Sequence, residues 1–158
     1  MTNKLNHRPI VLPALRGVMG DWVFYSTLMN LEQINEQLKY AREIYNRPNL
    51  SLKLQRDIDE RRGKEIAQYI QTQQQHFFNS LVVAVFGDQL NWHAVENISA
   101  REKYLKNLEE EIIESVGFLK LHGDEKLFTI DGQHRLSGIR ELFEHEPEEA
   151  AALKDEKI

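Results

Sequence analysis

The sequence predicts an α+β fold, a mixed β-sheet with helices packed on it, and three observations carry that expectation. Apolar, β-prone runs recur at Ile10 to Arg16, Trp22 to Leu28, Ser80 to Phe86, Val116 to Leu121 and Leu127 to Ile130. Segments with apolar residues at helical spacing alternate with these runs, and strands interleaved with helices imply a mixed sheet. A chain of 158 residues with 41% hydrophobic residues is long enough for one domain with a real core and short for two. The expected domain spans residues 1–158, with its core over about 10–146 and a tail from 147 to 158.

In chain order, Ile10 to Arg16 reads as a strand that Pro13 confines to an edge or a bulge. It is joined through the Gly17 to Asp21 region to a second strand, Trp22 to Leu28, as a hairpin. Asn30 caps a helix with Leu31, Ile34, Leu38, Ala41 and Arg42 on its stripe, ending before Pro48. After a connecting stretch from Asn49 to Asp59, a helix runs from about Glu60 to Gln73. Ser80 to Phe86 is almost unbroken in its apolar character, which places it at the centre of the sheet. Leu90 to Val95 reads as a short strand, and residues 99–115 as a charged, solvated helical connection. Val116 to Leu121 and Leu127 to Ile130 are strands on either side of a turn at His122-Gly123-Asp124. The helix after Arg135 ends near Pro147, and the acidic tail beyond it starts another helix. Trp22, Trp92, Phe77 and Phe78 are expected in the core or on the sheet surface.

Residues 127–143 carry the chemistry. The run Leu127 to Ile130 leads directly into Asp131-Gly132, and a helical stripe of Leu136, Ile139, Leu142 and Phe143 follows. Gln133, His134 and Arg135 therefore sit at a strand-to-helix junction. A helix N-terminus presents free backbone N–H groups and a partial positive charge, and glycine lets a ligand approach closely. With a guanidinium beside it, such a junction suits phosphate or another anion. The alternative is a helix capped by Asp131 whose polar residues face water. His134 has three readings: a hydrogen-bond donor to phosphate, a structural partner of Asp131, or a general acid or base. Asp131 reads as an N-cap ahead of a catalytic base; as a Mg²⁺ ligand it is a single carboxylate, which phosphate oxygens would have to supplement.

The stretch Asp131-Gly132-Gln133-His134-Arg135 resembles, letter for letter, the motif of the DGQHR-domain proteins, a group that includes the DndB regulators associated with DNA phosphorothioation. Upstream, Gln55-Arg56, then Arg62, Ile66, Tyr69 and Ile70, then the apolar run Leu81 to Phe86, look like the family's arginine-bearing helix and following strand. The order is also similar to the wider ParB/sulfiredoxin superfamily, in which such a turn opens a helix and holds nucleotide phosphates. The resemblance covers roughly residues 10–145. It implies a ParB/sulfiredoxin-like sheet and turns Arg62 inward, with Arg56 as its companion. Arg62 and Arg135 are then expected to converge on one anion, in a pocket completed by Gly132, Gln133 and His134. Almost nothing apolar follows Leu153, so the chain reads either as a shortened member or as a piece of a longer protein.

Composition narrows the choices. With a formal net charge of −5, any DNA or nucleotide site is a local basic patch in an acidic background. Without cysteine the chain has no disulfide, no cysteine-zinc site and no thiol for a sulfiredoxin-like reaction, which fits a reducing cytoplasm. The histidines form no HxxxH pair, and no GxxxxGK[ST] loop or GxSxG elbow is present, so a protein metal site, a P-loop NTPase and a serine hydrolase are not expected. No apolar run is long enough to span a bilayer, and the N-terminus is polar, so a soluble protein with no membrane partner is expected.

The sequence thus points first to a DNA-associated regulatory or defence protein that binds DNA backbone or nucleotide phosphate at the 131–135 turn, in company with other DNA-modification proteins. The alternatives are an NTPase-like subunit of such a system, using a nucleoside triphosphate with Mg²⁺ and Asp131 or His134, and a noncatalytic interaction module. Replacing Arg135 by alanine is expected to abolish binding with little effect on the fold, because an exposed arginine at a helix start contributes little to stability.

Overall fold

Alternating apolar residues build the first hairpin as expected: Ile10–Met19 (β1) pairs antiparallel with Trp22–Thr27 (β2) around a tight Gly20-Asp21 turn. The computed structural model describes residues 8–43, 60–87, 90–96 and 108–158. These fall into two compact units, the first within Met1–Leu28 and Gly87–Glu125, the second within Met29–Phe86 and Lys126–Ile158. Among the described residues no helix is long and apolar enough to cross a membrane.

The first unit is a four-stranded antiparallel sheet in the order β2-β1-β6-β5, where Asn91–Ala94 is β5 and Val116–Leu121 is β6. β1 is thus an inner strand, not the edge that Pro13 suggested. The proline is accommodated because β2 pairing begins only at Ala14, so Pro13 faces a single partner, Phe118 of β6. Side chains of opposed residues share a face. Leu12, Ala14, Leu119 and Leu121 are buried on one face, where Tyr25 and Trp92 also meet at 5.4 Å between ring centroids. The other face is exposed and apolar. A short helix, Glu110–Glu114 (α3), precedes β6; residues 99–107 of the charged connection expected here lie outside the described residues.

The turn after β6 is organised by a residue that the sequence reading passed over. The buried carboxylate of Glu125 accepts hydrogen bonds from the backbone N–H groups of His122 and Gly123, both at 2.9 Å. Burial pushes its pKa up, but the backbone N–H groups of His122, of Glu125 itself and of Gly123 outweigh this and hold it below the ordinary carboxylate value. The turn does not close a hairpin: β6 pairs with β1 and β5, whereas Lys126–Asp131 (β7) belongs to the second unit's sheet.

That second sheet is mixed, in the order β3-β7-β4, with Leu38–Tyr40 as β3 and Val82–Phe86 as β4. The strands ending near Phe86 and Ile130, expected to be neighbours, pair with each other, and the pairing is antiparallel, with Phe86 opposite Lys126. The centre, however, belongs to β7 and not to β4. Leu127, Phe128 and Thr129 are buried in succession, whereas Val82, Val85 and Phe86 remain substantially exposed along the edge. A continuous apolar run does not by itself distinguish a central strand from an edge.

The helix beginning after Asn30 is also shorter than its periodicity suggests. Asn30 caps Leu31–Gln37 (α1) in a capping box with Gln33. Leu38–Tyr40 then leaves the helix as β3, parallel to β7, because Leu38 and Tyr40 are buried there; Ala41 and Arg42 follow in a 3₁₀ turn. Arg140 secures the change by donating to the Leu38 carbonyl at 2.7 Å and stacking on the Tyr40 ring. Glu60–Thr72 (α2) packs along Gln133–His145 (α4), and Pro147–Leu153 (α5) follows, with proline at its start.

The sequence pattern predicts one core shared by Ile66, Tyr69, Val83, Val85, Ile130, Leu136, Ile139 and Phe143; of these, Leu136 and Ile139 are fully buried, and Ile66, Val83 and Phe143 are half-buried. Tyr69, Val85 and Ile130 are exposed, Ile130 at 57%. The buried stripe of α2 is Gly63, Ala67 and Ile70, a small rotation from the expected Arg62, Ile66, Tyr69 and Ile70. Packing against α4 sets that rotation, with Gly63 facing Ser137 and Ile66 facing Gly138 where the two helices touch.

Candidate functional site

The chain leaves β7 at Asp131 and enters α4 through Gly132, which adopts φ +89° and occupies the N-cap position. Two constraints demand glycine there. The conformation is left-handed, and a Cβ would fall 2.3 Å from Leu81 Cδ2. Asp131, expected as the cap, is therefore one residue too early, and no side chain caps the helix. The backbone N–H groups that open α4 keep their donor capacity and the positive end of the helix dipole.

Arg62 arrives at this turn from α2. Gly63 and Gly138 lie where the helices touch: a Cβ on Gly138 would fall 2.3 Å from Ile66 Cγ2, and one on Gly63 would fall 2.5 Å from Ser137 Oγ. This close crossing carries Arg62, the residue next to Gly63, to the start of α4. Arg62, Ile130, Asp131, Gly132, Gln133, His134 and Arg135 line one cavity of about 260 Å³. The structure thus brings together every residue expected at the site except Arg56, which lies outside the described residues.

The two arginines differ in their commitments. Arg135 folds back over Gly132, and its Nη1 donates to the carbonyls of Asn79 and Ser80, the latter at 2.8 Å. Its Nη2 lies 3.5 Å from Asp131 Oδ2, and its side chain is only 19% exposed. It is not the exposed, structurally idle arginine expected, but a tie between the start of α4 and the segment leading into β4. Arg62 is exposed and forms no side-chain hydrogen bond or ion pair among the described residues.

Gln133 Oε1 is buried and has no hydrogen-bond partner among the described residues, and His134 completes the lining. Among the described residues Asp131 is the one carboxylate on the cavity wall, and it already faces Arg135. Among the described residues no group of three His, Asp or Glu side chains is placed to hold a metal ion. The cavity thus sets two guanidinium groups and the start of a helix against one carboxylate that is already paired with Arg135, a balance that favours an oxyanion.

The sequence reading missed what holds the segment that Arg135 grips. His76 Nδ1 donates to the Gln73 carbonyl at 2.9 Å, and its Nε2 meets Glu156 Oε2 at 2.5 Å. The Phe77 N–H donates to Tyr69 Oη, and Tyr69 packs edge-on against His76 and Phe78. The Gln73 carbonyl foremost, opposed by partial burial and then aided by Glu156, raises the His76 pKa above its ordinary value. Nothing in the local sequence signals a pairing between residues 76 and 156. Phe77 itself is exposed, as is Trp22, which places both on the surface and not in the core.

Compared with known protein families, residues 12–158 match the family model DndB, described as DNA-sulfur modification-associated. No curated protein and no solved structure matches the chain.

Proposed function

The chain belongs to the DndB family of DNA-sulfur modification-associated proteins, and from that premise we propose that it is a regulatory or defence component that grips a phosphate of DNA or of a nucleotide at the 131–135 turn. One observation carries the reading: the cavity of about 260 Å³ at the side-chain-free N-terminus of α4, with the uncommitted guanidinium of Arg62 on its wall. The physical case is additive. Backbone N–H groups and the helix dipole favour an anion, and Arg62 supplies a bidentate, charge-assisted contact. Arg135 shapes the turn and adds positive charge from behind. In a chain of net charge −5, such a focus is what allows a polyanion or nucleotide to approach at one place and not elsewhere.

The test is a titration of wild type and Arg62→Ala with a labelled DNA duplex and with nucleoside triphosphates, each at two salt concentrations. A charge-assisted contact contributes roughly 1.5–3 kcal/mol, so the variant should bind about tenfold or more weakly, and Arg62→Lys should lie between. DNA binding should weaken as salt rises. Equal binding by wild type and Arg62→Ala, with both folded, removes the phosphate site from the account.

A further inference from the structure

The exposed face of the first unit's sheet is the largest feature that the phosphate site leaves unexplained, and we propose that it pairs with the same face of a second copy of this chain. The register places Val11, Leu15 and Met19 of β1, Trp22 and Phe24 of β2 and Phe118 of β6 on one side. Trp22 is 76% exposed, Met19 71%, and the other four about half. The surface is built, not ragged: Gly17 leaves room for the Phe24 ring, and a Cβ there would fall 2.3 Å from Phe24 Cζ.

Area and charge identify the occupant. An aromatic side chain offers roughly 150–250 Å², so three half- to three-quarters-exposed aromatics with three large aliphatics present on the order of 600–800 Å² of apolar surface. That exceeds the roughly 300–600 Å² of the largest patch on a typical monomer. It reaches the roughly 800 Å² that each partner contributes to a standard interface. The strand positions on this face carry no carboxylate, and Lys120 and His93 are their only ionisable residues. Nucleic acid needs more cations than that, and an unlike protein partner is usually selected by complementary charge. A twisted apolar sheet face with a single lysine and no carboxylate is best matched by an equally apolar face, which a second copy supplies. Two such faces stack about 10 Å apart with their strands some 30° off parallel, related by a twofold axis.

Sedimentation velocity on the full chain from about 1 to 100 µM decides the matter, with Phe24→Lys and Leu15→Lys measured alongside. Both substitutions lie on exposed positions and should leave the far-ultraviolet spectrum unchanged. The expected result is a wild-type species of twice the chain mass, with each variant raising the dissociation constant at least tenfold. A wild-type monomer throughout the range overturns the proposal. So does a dimer that neither substitution weakens. If Trp22 in a monomer is shielded from a water-soluble quencher, another part of the chain covers the face in place of a second copy.

Discussion

Replacing Gly138 by alanine probes the packing that brings Arg62 to the turn. The new Cβ would lie 2.3 Å from Ile66 Cγ2, 2.6 Å from Ile66 Cβ and 3.2 Å from the Gly63 carbonyl oxygen. Ile66 Cβ is fixed by its own helix and cannot rotate away, so α2 and α4 must separate. Overpacking of this kind costs about 1–3 kcal/mol, and the upper end applies when backbone has to move. Alanine regains about 1 kcal/mol of helix propensity over glycine. The net loss is then about 2 kcal/mol, a fall in Tm of roughly 4–8 °C for a chain of this size. Gly63→Ala provides the contrast. Its Cβ meets chiefly Ser137 Oγ at 2.5 Å, a hydroxyl that can change rotamer, so overpacking and propensity should nearly cancel. Ile66→Ala added to Gly138→Ala should recover part of the loss. Thermal and urea denaturation followed by circular dichroism measure all four proteins. A Gly138→Ala protein as stable as wild type, or a Gly63→Ala protein that suffers more, would refute this account of the helix crossing.

Arg135→Ala should lower stability by about 1.5 kcal/mol, the low end for charge-assisted bonds because the Asn79 and Ser80 carbonyls are exposed to water; unchanged urea unfolding would show that the tie is idle. The raised His76 pKa means that the folded state binds its proton more tightly, so this stabilisation is complete below the ordinary histidine value and is lost as pH rises through the raised one. His76→Gln should flatten that stretch of the stability-against-pH curve, and an unchanged slope would deny the link to Glu156. Glu125 acts with the opposite sign: its lowered pKa gives stability that is complete above the ordinary carboxylate value and lost as pH falls through the lowered one. Glu125→Gln should cost roughly 1–3 kcal/mol at neutral pH and lose its effect in acid, as acid titrations of both proteins would show.

Local signals made much of this molecule legible. The Asn30 cap, the Gly20-Asp21 turn, the α2 span and the junction at Asp131-Gly132 are all written in short stretches of sequence. So was the gathering of Arg62 with residues 132–135, although through likeness to a family and not through periodicity. What escaped was decided by distant partners. Leu38 and Tyr40 continue a helical stripe, yet β7 draws them into a strand. Ser80 to Phe86 looks central, but β7 is flanked on both sides and takes that place. Asp131 looks like a cap, until the left-handed Gly132 takes the position and Arg135 turns back towards the Asn79 and Ser80 carbonyls. The Glu125 and His76 contacts depend on burial and on a pairing across 80 residues, which no local pattern reports.

A phosphate held between Arg62 and the start of α4 would be seen in a crystal structure of the chain grown with a nonhydrolysable nucleoside triphosphate or a short DNA duplex. Phosphate oxygens should lie within about 3 Å of the Arg62 guanidinium and of the backbone N–H groups that open α4, and should be lost in Arg62→Ala. A ligand bound elsewhere on the chain, or one that sits in this cavity unchanged when Arg62 is alanine, would contradict it.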